Sequence, residues 1–259
     1  MMTAFISGAS IGIGAEISKL LVEKGVTVFA AARRVDKLER MHHTLGNQFI
    51  PLELDISDPR AIKKAIARLG DQAKKIDLLV NNAGLALGLE PFYQNSAEDI
   101  ETMIQTNILG LTHLTHALLP FMVANKKGYV INIGSVAANY AYVGGTVYGA
   151  TKAFISRFSA GLRVDIAPLP IRVTDIMPGQ VAGTEFSSVR FHGDNKRAQA
   201  VYEGTQSLQP EDIAQMVLWL YELPEHINVN YLEIMPVVQT SAGLKAVSYT
   251  HLTLPTSDL

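Results

Sequence analysis

The segment 147–154 reads VYGATKAF and places Tyr148 and Lys152 four residues apart among Gly, Ala and Thr. On a helix, residues i and i+4 lie one above the other, so a phenol and an ammonium can converge there on one small volume. The same pair recurs by chance in many helices, so alone it offers a geometry and not a reaction. A second candidate follows the first apolar run, where SGASIGIGAEISKLL sets Gly8, Gly12 and Gly14 ahead of an amphipathic stretch. Glycines there permit a tight turn and let the backbone approach a pyrophosphate at the positive end of a helix. The spacing is Gly-x3-Gly-x-Gly and not the usual G-x-G-x-x-G, and such a turn also serves as plain punctuation between strand and helix. Its place after the first strand of a βαβ unit favours the phosphate reading. In FAAARRVDKL, Ala32, Arg33 and Arg34 occupy the slot where an NAD-binding chain offers an acidic side chain to the ribose 2'-hydroxyl. Two guanidinium groups suit a 2'-phosphate, which they can meet bidentately, so the slot favours NADP.

These residues need a scaffold, and the chain supplies one. Short β-branched runs at 3–7, 26–32, 49–54, 77–81, 129–134, 171–177 and 230–235 alternate with longer helical patterns. Seven strands separated by helices predict right-handed βαβ units, hence a doubly wound α/β fold of Rossmann type. Its seven-stranded parallel sheet is covered by helices on both faces. Residues 183–207 are more polar and break the rhythm after the sixth strand, which places a lid over the carboxyl ends of the strands.

The bulk properties narrow the class. A chain of 259 residues with 48% hydrophobic content suits one large core, and no repeat, linker or charge block marks a second domain. The domain is expected over 1–246. The last thirteen residues, 247–259, are expected to be a disordered or extraneous tail. Lys and Arg number 22 against 24 Asp and Glu, a net charge of -2, which provides no field for nucleic acid or anionic lipid. A small-molecule partner is expected instead. With no cysteine there is no disulfide, thiolate nucleophile or cysteine metal site, which fits a reducing, cytoplasmic setting. No basic leader opens the chain, and no apolar run reaches the ~20 residues of a membrane span.

Taken together, SGASIGIG (7–14), NNAG (81–84), Asn107 in TNILG, NIGS with Ser135, YGATK (148–152) and PGQV (178–181) resemble the short-chain dehydrogenase/reductase family in order and spacing. Each motif is weak alone; six in register across residues 3 to about 243 are strong. The stretches NNAGLALGLEP, VYGATKAF, GTEFSSVRFHGD and YLEIMP look like the branch of NADP-dependent 3-hydroxy acid, serine and L-allo-threonine dehydrogenases.

The resemblance implies roles. Tyr148 would be the general acid on the carbonyl oxygen, or the base in the oxidative direction. Lys152 would hold the nicotinamide ribose and lower the Tyr148 pKa, since a nearby cation favours the phenolate. Ser135 would hydrogen-bond the substrate oxygen, and Asn107 would anchor a water in the proton relay. For the cofactor, the resemblance implies contacts from Gly8, Ser10, Gly12, Ile13, Gly14, Pro178, Gly179 and Val181. Asp55 would meet the adenine, though an Asp after a strand is also an ordinary helix cap. Asn82, Ala83 and Gly84 would stabilise the central strand and pass the adenosine, while Thr184 would bond the carboxamide or cap a lid helix. Ser7 departs from the family's usual Thr but keeps the hydroxyl. His113 and His116 are read as packing or interface residues and not metal ligands. Trp219 is read as core or interface. A homotetramer built through helices at 107–125 and 148–165 is also implied.

Substrate class rests on one lid residue. A 3-hydroxy acid carries a carboxylate that needs a cation away from the reacting carbon, and Arg190, between Val189 and Phe191, is placed to supply it. The competing reading pairs Arg190 with Glu185 or Asp194 to hold the lid. Two other functions stay open: a reductase of carrier-bound 3-oxoacyl chains or other carbonyls, and a non-catalytic NADP-binding regulator.

Overall fold

Seven strands, each a short β-branched or apolar run, form the sheet: β1 (Thr3–Ser7), β2 (Thr27–Ala32), β3 (Phe49–Glu53), β4 (Leu78–Asn81), β5 (Gly128–Ile133), β6 (Ile171–Pro178) and β7 (Tyr231–Ile234). A computed structural model describes residues 2–240; the expected tail at 247–259 and the end of the 1–246 domain lie outside them. All neighbours pair in parallel, in the order β3-β2-β1-β4-β5-β6-β7. The expected doubly wound sheet is therefore present, with strand ends within two residues of those read from the sequence.

Alternation along each strand assigns the two cores. Ala4, Ile6, Val28, Val80 and Ile131 face one layer with Ile17, Leu21, Ile213 and Val217. Phe5, Leu79, Val130 and Val173 face the other with Leu114, Leu118 and Leu162. Because both faces are covered, β1 and β4 to β6 are buried along their whole length, so they lack the regular polar alternation of a half-exposed strand. The edge strand β7 instead alternates exposed and half-buried positions.

The first layer comprises α1 (Gly12–Glu23), α2 (Val35–Leu45) and, late in the chain, Pro210–Glu222. The second contains α3 (Pro59–Leu69), started by the Asp58 carboxylate capping the Arg60 amide with Pro59 at the first helical position. It also contains a rod from Ala97 to Asn125 and α6 (Thr146–Asp165). The rod joins α4 (Ala97–Ile104), a π-helical turn (Gln105–Gly110) and α5 (Leu111–Asn125). Contrary to the expectation from runs of apolar residues, this rod is long and apolar enough, by length and composition, to cross a bilayer. Its inner face is used by the core: Met103, Leu111, Leu114, Leu118 and Met122 are all buried. The wider π turn rotates Asn107 inward. The predicted lid holds two short helices, α7 (Phe186–Arg190) and α8 (Asn195–Ala200), before α9 (Pro210–Glu222) closes the first layer.

Candidate active site

Strand order reverses between β1 and β4, and a doubly wound sheet opens a crevice there at its carboxyl end. A cleft of about 420 Å³ occupies that place. Nearly every residue singled out from the sequence lines it: Gly8, Ser10, Gly12, Ile13, Arg33, Arg34, Asp55, Asn82, Ala83, Gly84, Ser135, Tyr148, Lys152, Pro178, Gly179, Val181, Thr184 and Arg190. Gly14 and Asn107 stand behind the wall.

The glycine loop shows why its residues are glycine. Gly8 and Gly12 have φ of 69° and 59°, in the left-handed region. A side chain on Gly14 would strike the Asn82 amide and the Gly8 carbonyl, so this glycine lets α1 pack on the loop. Asn82 clamps that loop by donating to the Ser7 carbonyl at 2.9 Å and the Gly8 carbonyl at 3.2 Å. The Ser7 hydroxyl returns the tie, accepting from the Asn82 and Ala83 amides at 3.1 Å. Open backbone at a helix N-terminus suits a pyrophosphate.

Arg33 is exposed and, among the described residues, has no carboxylate within ion-pair distance. Arg34 reaches across the cleft to Glu185 of the lid at 2.5 Å, and Lys37 joins at 2.9 Å. Burial opposes ionisation of Glu185, yet the Lys37 and Arg34 hydrogen bonds hold its carboxyl below the usual range. This cluster of cations fits a 2'-phosphate. Glu185 was expected to pair, if at all, with Arg190; its pairing with Lys37 was not foreseen, because the two meet only when the lid folds back across 148 residues of chain. Asp55 accepts from the Ser57 amide and hydroxyl in a tight turn, while the helix cap three residues on is Asp58. The Thr184 hydroxyl accepts from the Phe186 amide at 3.2 Å in the turn before the lid helix, whose N-cap position is Glu185, and its side chain is on the cleft wall.

At the other end of the cleft, Tyr148 and Lys152 share the face of α6 that meets the carboxyl end of β5. Lys152, 5% exposed, donates to the Ile133 carbonyl at 2.7 Å, with its nitrogen 5.7 Å from the Tyr148 ring centre. Burial lowers its pKa to about 8, against the pull of Asp175. Tyr148 departs from expectation: its phenol is pushed well above the usual value, not below it. Burial is the main cause and Tyr142 adds to it, outweighing the Ser135 hydroxyl and the Arg190 charge, which act in the opposite direction. A phenol so placed holds its proton at neutral pH. The Ser135 hydroxyl accepts from the Ala137 amide at 3.1 Å, fixing the turn that presents it.

Asn107 is a brace. Its oxygen accepts from the Leu85 amide at 2.9 Å, and its nitrogen donates to the Leu85 carbonyl at 2.8 Å and the Thr151 hydroxyl at 3.0 Å. Both amide hydrogens are engaged by protein groups, so the side chain ties the loop after β4 to α6. Gly84 lies beside it; a Cβ there would press on the Asn107 oxygen at 3.3 Å and touch the Lys152 nitrogen at 3.6 Å.

Arg190 lies over the reacting end, 7% exposed. Its guanidinium donates to the Gly88 carbonyl at 3.1 Å and the Tyr142 hydroxyl at 2.7 Å, and sits 5.7 Å from the Tyr148 ring centre. Neither proposed ion pair forms: Glu185 is held by Arg34 and Lys37, and Asp194 caps α8 through the Arg197 amide. Tyr142 and Phe186 complete the wall, the latter edge-on to Tyr148 at 5.6 Å; neither was singled out from the sequence, although Phe186 lies within the stretch GTEFSSVRFHGD. His113, His116 and Trp219 are exposed and away from this cleft, and no metal-binding cluster occurs among the described residues.

Comparison with known proteins agrees with this geometry. The family model described as short chain dehydrogenase matches residues 2–195. A probable NADP-dependent dehydrogenase of Haemophilus influenzae is 51% identical over 93% of this chain and 96% of its own. The NADP-dependent 3-hydroxy acid dehydrogenase YdfG of Salmonella typhi is 50% identical over 94% and 98%. The solved closed form of a serine dehydrogenase complexed with NADP+ superposes with a TM-score of 0.92 at 47% identity, covering 94% of this chain and 98% of that one. With the family model matched over most of the chain and relatives about half identical along nearly all of it, the chain belongs to the short-chain dehydrogenase family.

Proposed function

We propose that this protein is an NADP-dependent oxidoreductase that interconverts small 3-hydroxy acids, of the serine, allo-threonine or 3-hydroxypropanoate kind, and their 3-oxo partners. One observation carries the substrate class: a buried guanidinium, Arg190, beside Tyr148 with no carboxylate partner among the described residues. A buried cation without an anion is costly, and a substrate carboxylate supplies the missing charge. Carrier-bound 3-oxoacyl thioesters have no such carboxylate, which favours the free acid. A regulator without chemistry would not need a buried phenol, ammonium and hydroxyl around one point.

When bound, NADP supplies the hydride chemistry at the substrate carbon. Gly8, Ser10, Gly12 and Ile13 would hold its pyrophosphate, and Arg33 and Arg34 its 2'-phosphate. Asp55, Asn82, Ala83 and Gly84 would flank the adenosine. Pro178, Gly179, Val181 and Thr184 would flank the nicotinamide, and Lys152 would hold its ribose. Tyr148 holds its proton at neutral pH, delivers it to the carbonyl oxygen during reduction and recovers it during oxidation. Ser135 bonds the same oxygen, Arg190 orients the carboxylate, and α7 with Phe186 excludes water.

A panel of 3-hydroxy acids and their methyl esters, assayed with NADP and NAD, tests the assignment. Turnover of esters as efficient as that of acids would reject it. For the cofactor, Arg33→Ala with Arg34→Ala is expected to weaken NADP binding ~10- to 100-fold and NAD binding less than threefold. A charge-assisted contact is worth about 1.5–3 kcal/mol, reduced here because Arg34 is partly solvated. Titration of both nucleotides into the double variant reads this; equal losses would assign the arginines to the fold.

The quaternary proposal is a homotetramer, in a cytoplasmic setting. Its support is the apolar surface left on the rod and α6, where Leu109, Val123, Phe154 and Val164 are exposed. Light scattering at micromolar concentration is expected to give four times the 28.2 kDa chain mass; a monomer would reject it.

A further inference from the structure

Beneath the reacting end of the cleft lies a charged side chain that the proposed chemistry does not use. Asp175 occupies the middle of β6, flanked by β5 and β7, and is fully buried. Neither carboxylate oxygen has a hydrogen-bond partner among the described residues. The Ser156 hydroxyl and Gly134 amide are close, but that amide is committed to the Ile176 carbonyl at 2.7 Å and neither group meets bonding geometry with the carboxylate. An isolated buried carboxylate is destabilising, so packing alone gives no reason for an acid here.

Its surroundings do. By strand alternation Asp175 points to the same face as Val173, the face covered by α6. On α6, Lys152 and Ser156 are one turn apart and both lie toward Asp175. Across the strand pair, Gly134 leaves the space the carboxylate fills; a side chain at 134 would collide with it. The residues on either side are Ile133, whose carbonyl accepts from Lys152, and Ser135. The ammonium has three hydrogens to place, and among the described residues the Ile133 carbonyl is its one hydrogen-bond partner. Asp175 is the anion whose charge acts on it. The other ionisable group at the pair is Tyr148 on the same helix, with Tyr142 and Arg190 beyond it; the rod and β5 present Asn107, Asn132 and Ser135, which carry no charge.

We propose that Asp175 is a positioning residue for Lys152: its buried carboxylate, seated over Gly134, holds the side chain in its ammonium form and aimed at the cleft. The proposal rests on the cofactor-binding role given to Lys152 above. Burial raises the Asp175 pKa to about 7 against the pull of Lys152, and lowers that of Lys152 to about 8 against the pull of Asp175, so each charge offsets part of the burial that would neutralise the other. The sign for stability follows. A carboxyl that binds its proton more tightly when folded contributes stability below its ordinary value of 3.8, and that stability is lost as pH rises toward about 7.

Titration of the 13C-lysine-labelled full chain by NMR tests the pair directly, with Lys152→Met assigning the resonance. In Asp175→Asn, and in Asp175→Ala as a second variant, the Lys152 midpoint is expected to fall by one unit or more from about 8. An unchanged midpoint would overturn the proposal. Melting curves should show both variants more stable than the wild type above pH 7 and losing that advantage toward pH 4. Failure of both variants to fold contradicts the proposal, since it would give Asp175 a structural role. A double-mutant cycle on NADPH affinity at pH 8 reads the function: Asp175→Asn should weaken binding at least threefold in the wild type and not at all in Lys152→Met. Equal weakening in both backgrounds would mark Asp175 as merely structural. Should the midpoint move while Lys152→Met leaves affinity and turnover intact, the pairing stands and the role of Lys152 fails; the reverse pattern sinks the pairing alone.

Discussion

Tyr148→Phe is expected to bind NADPH as tightly as the wild type and to lose turnover by about 10²- to 10⁴-fold, the usual contribution of one placed acid or base. The phenyl ring keeps the edge-on contact with Phe186 and the packing with Ala86, Met103 and Ala137, so the wall of the cleft survives. What disappears is the hydroxyl that meets Ser135 and gives up the proton. Burial raises the Tyr148 pKa further above neutrality, so at neutral pH oxidation is the direction that lacks its base. Oxidation should gain as pH rises, since it needs the phenolate. Stopped-flow binding with steady-state rates in both directions separates these effects. Near wild-type turnover in the variant would remove Tyr148 from the chemistry.

Arg190→Met is expected to raise KM for a 3-hydroxy acid ~10- to 100-fold while changing KM for its methyl ester less than threefold. The estimate follows from one charge-assisted contact at a desolvated site, about 1.5–3 kcal/mol. Methionine keeps much of the stem's volume, and the backbone carbonyl of residue 190 still accepts from the Gly88 amide at 2.9 Å, so the lid retains one of its ties to that loop. The lost bonds to the Gly88 carbonyl and Tyr142 loosen the lid for every substrate, a cost shared by acid and ester. The ratio between the two substrates therefore isolates the carboxylate, and equal impairment would return Arg190 to a bracing role.

Local chemistry made much of this protein legible in one dimension. Strand alternation, the left-handed glycines of the loop after β1 and the i, i+4 pairing of Tyr148 with Lys152 depend on neighbours in sequence, so the alternating elements, the phosphate loop and the reacting pair could be read without coordinates. The direction of the Tyr148 pKa could not. A cation four residues away argued for lowering it, but burial under α7 and Phe186, an effect of chain 38 residues distant, prevails. Lid partners were hidden for the same reason: Glu185 meets Arg34 and Lys37, and Arg190 meets Gly88 and Tyr142, only because the segment after β6 folds over the sheet. Asp175 marks the boundary most sharply. Its strand position was read correctly, yet nothing near it in sequence distinguishes an ordinary acid from one sealed over Gly134 beneath Lys152, because dielectric and charge partners are properties of the packed interior.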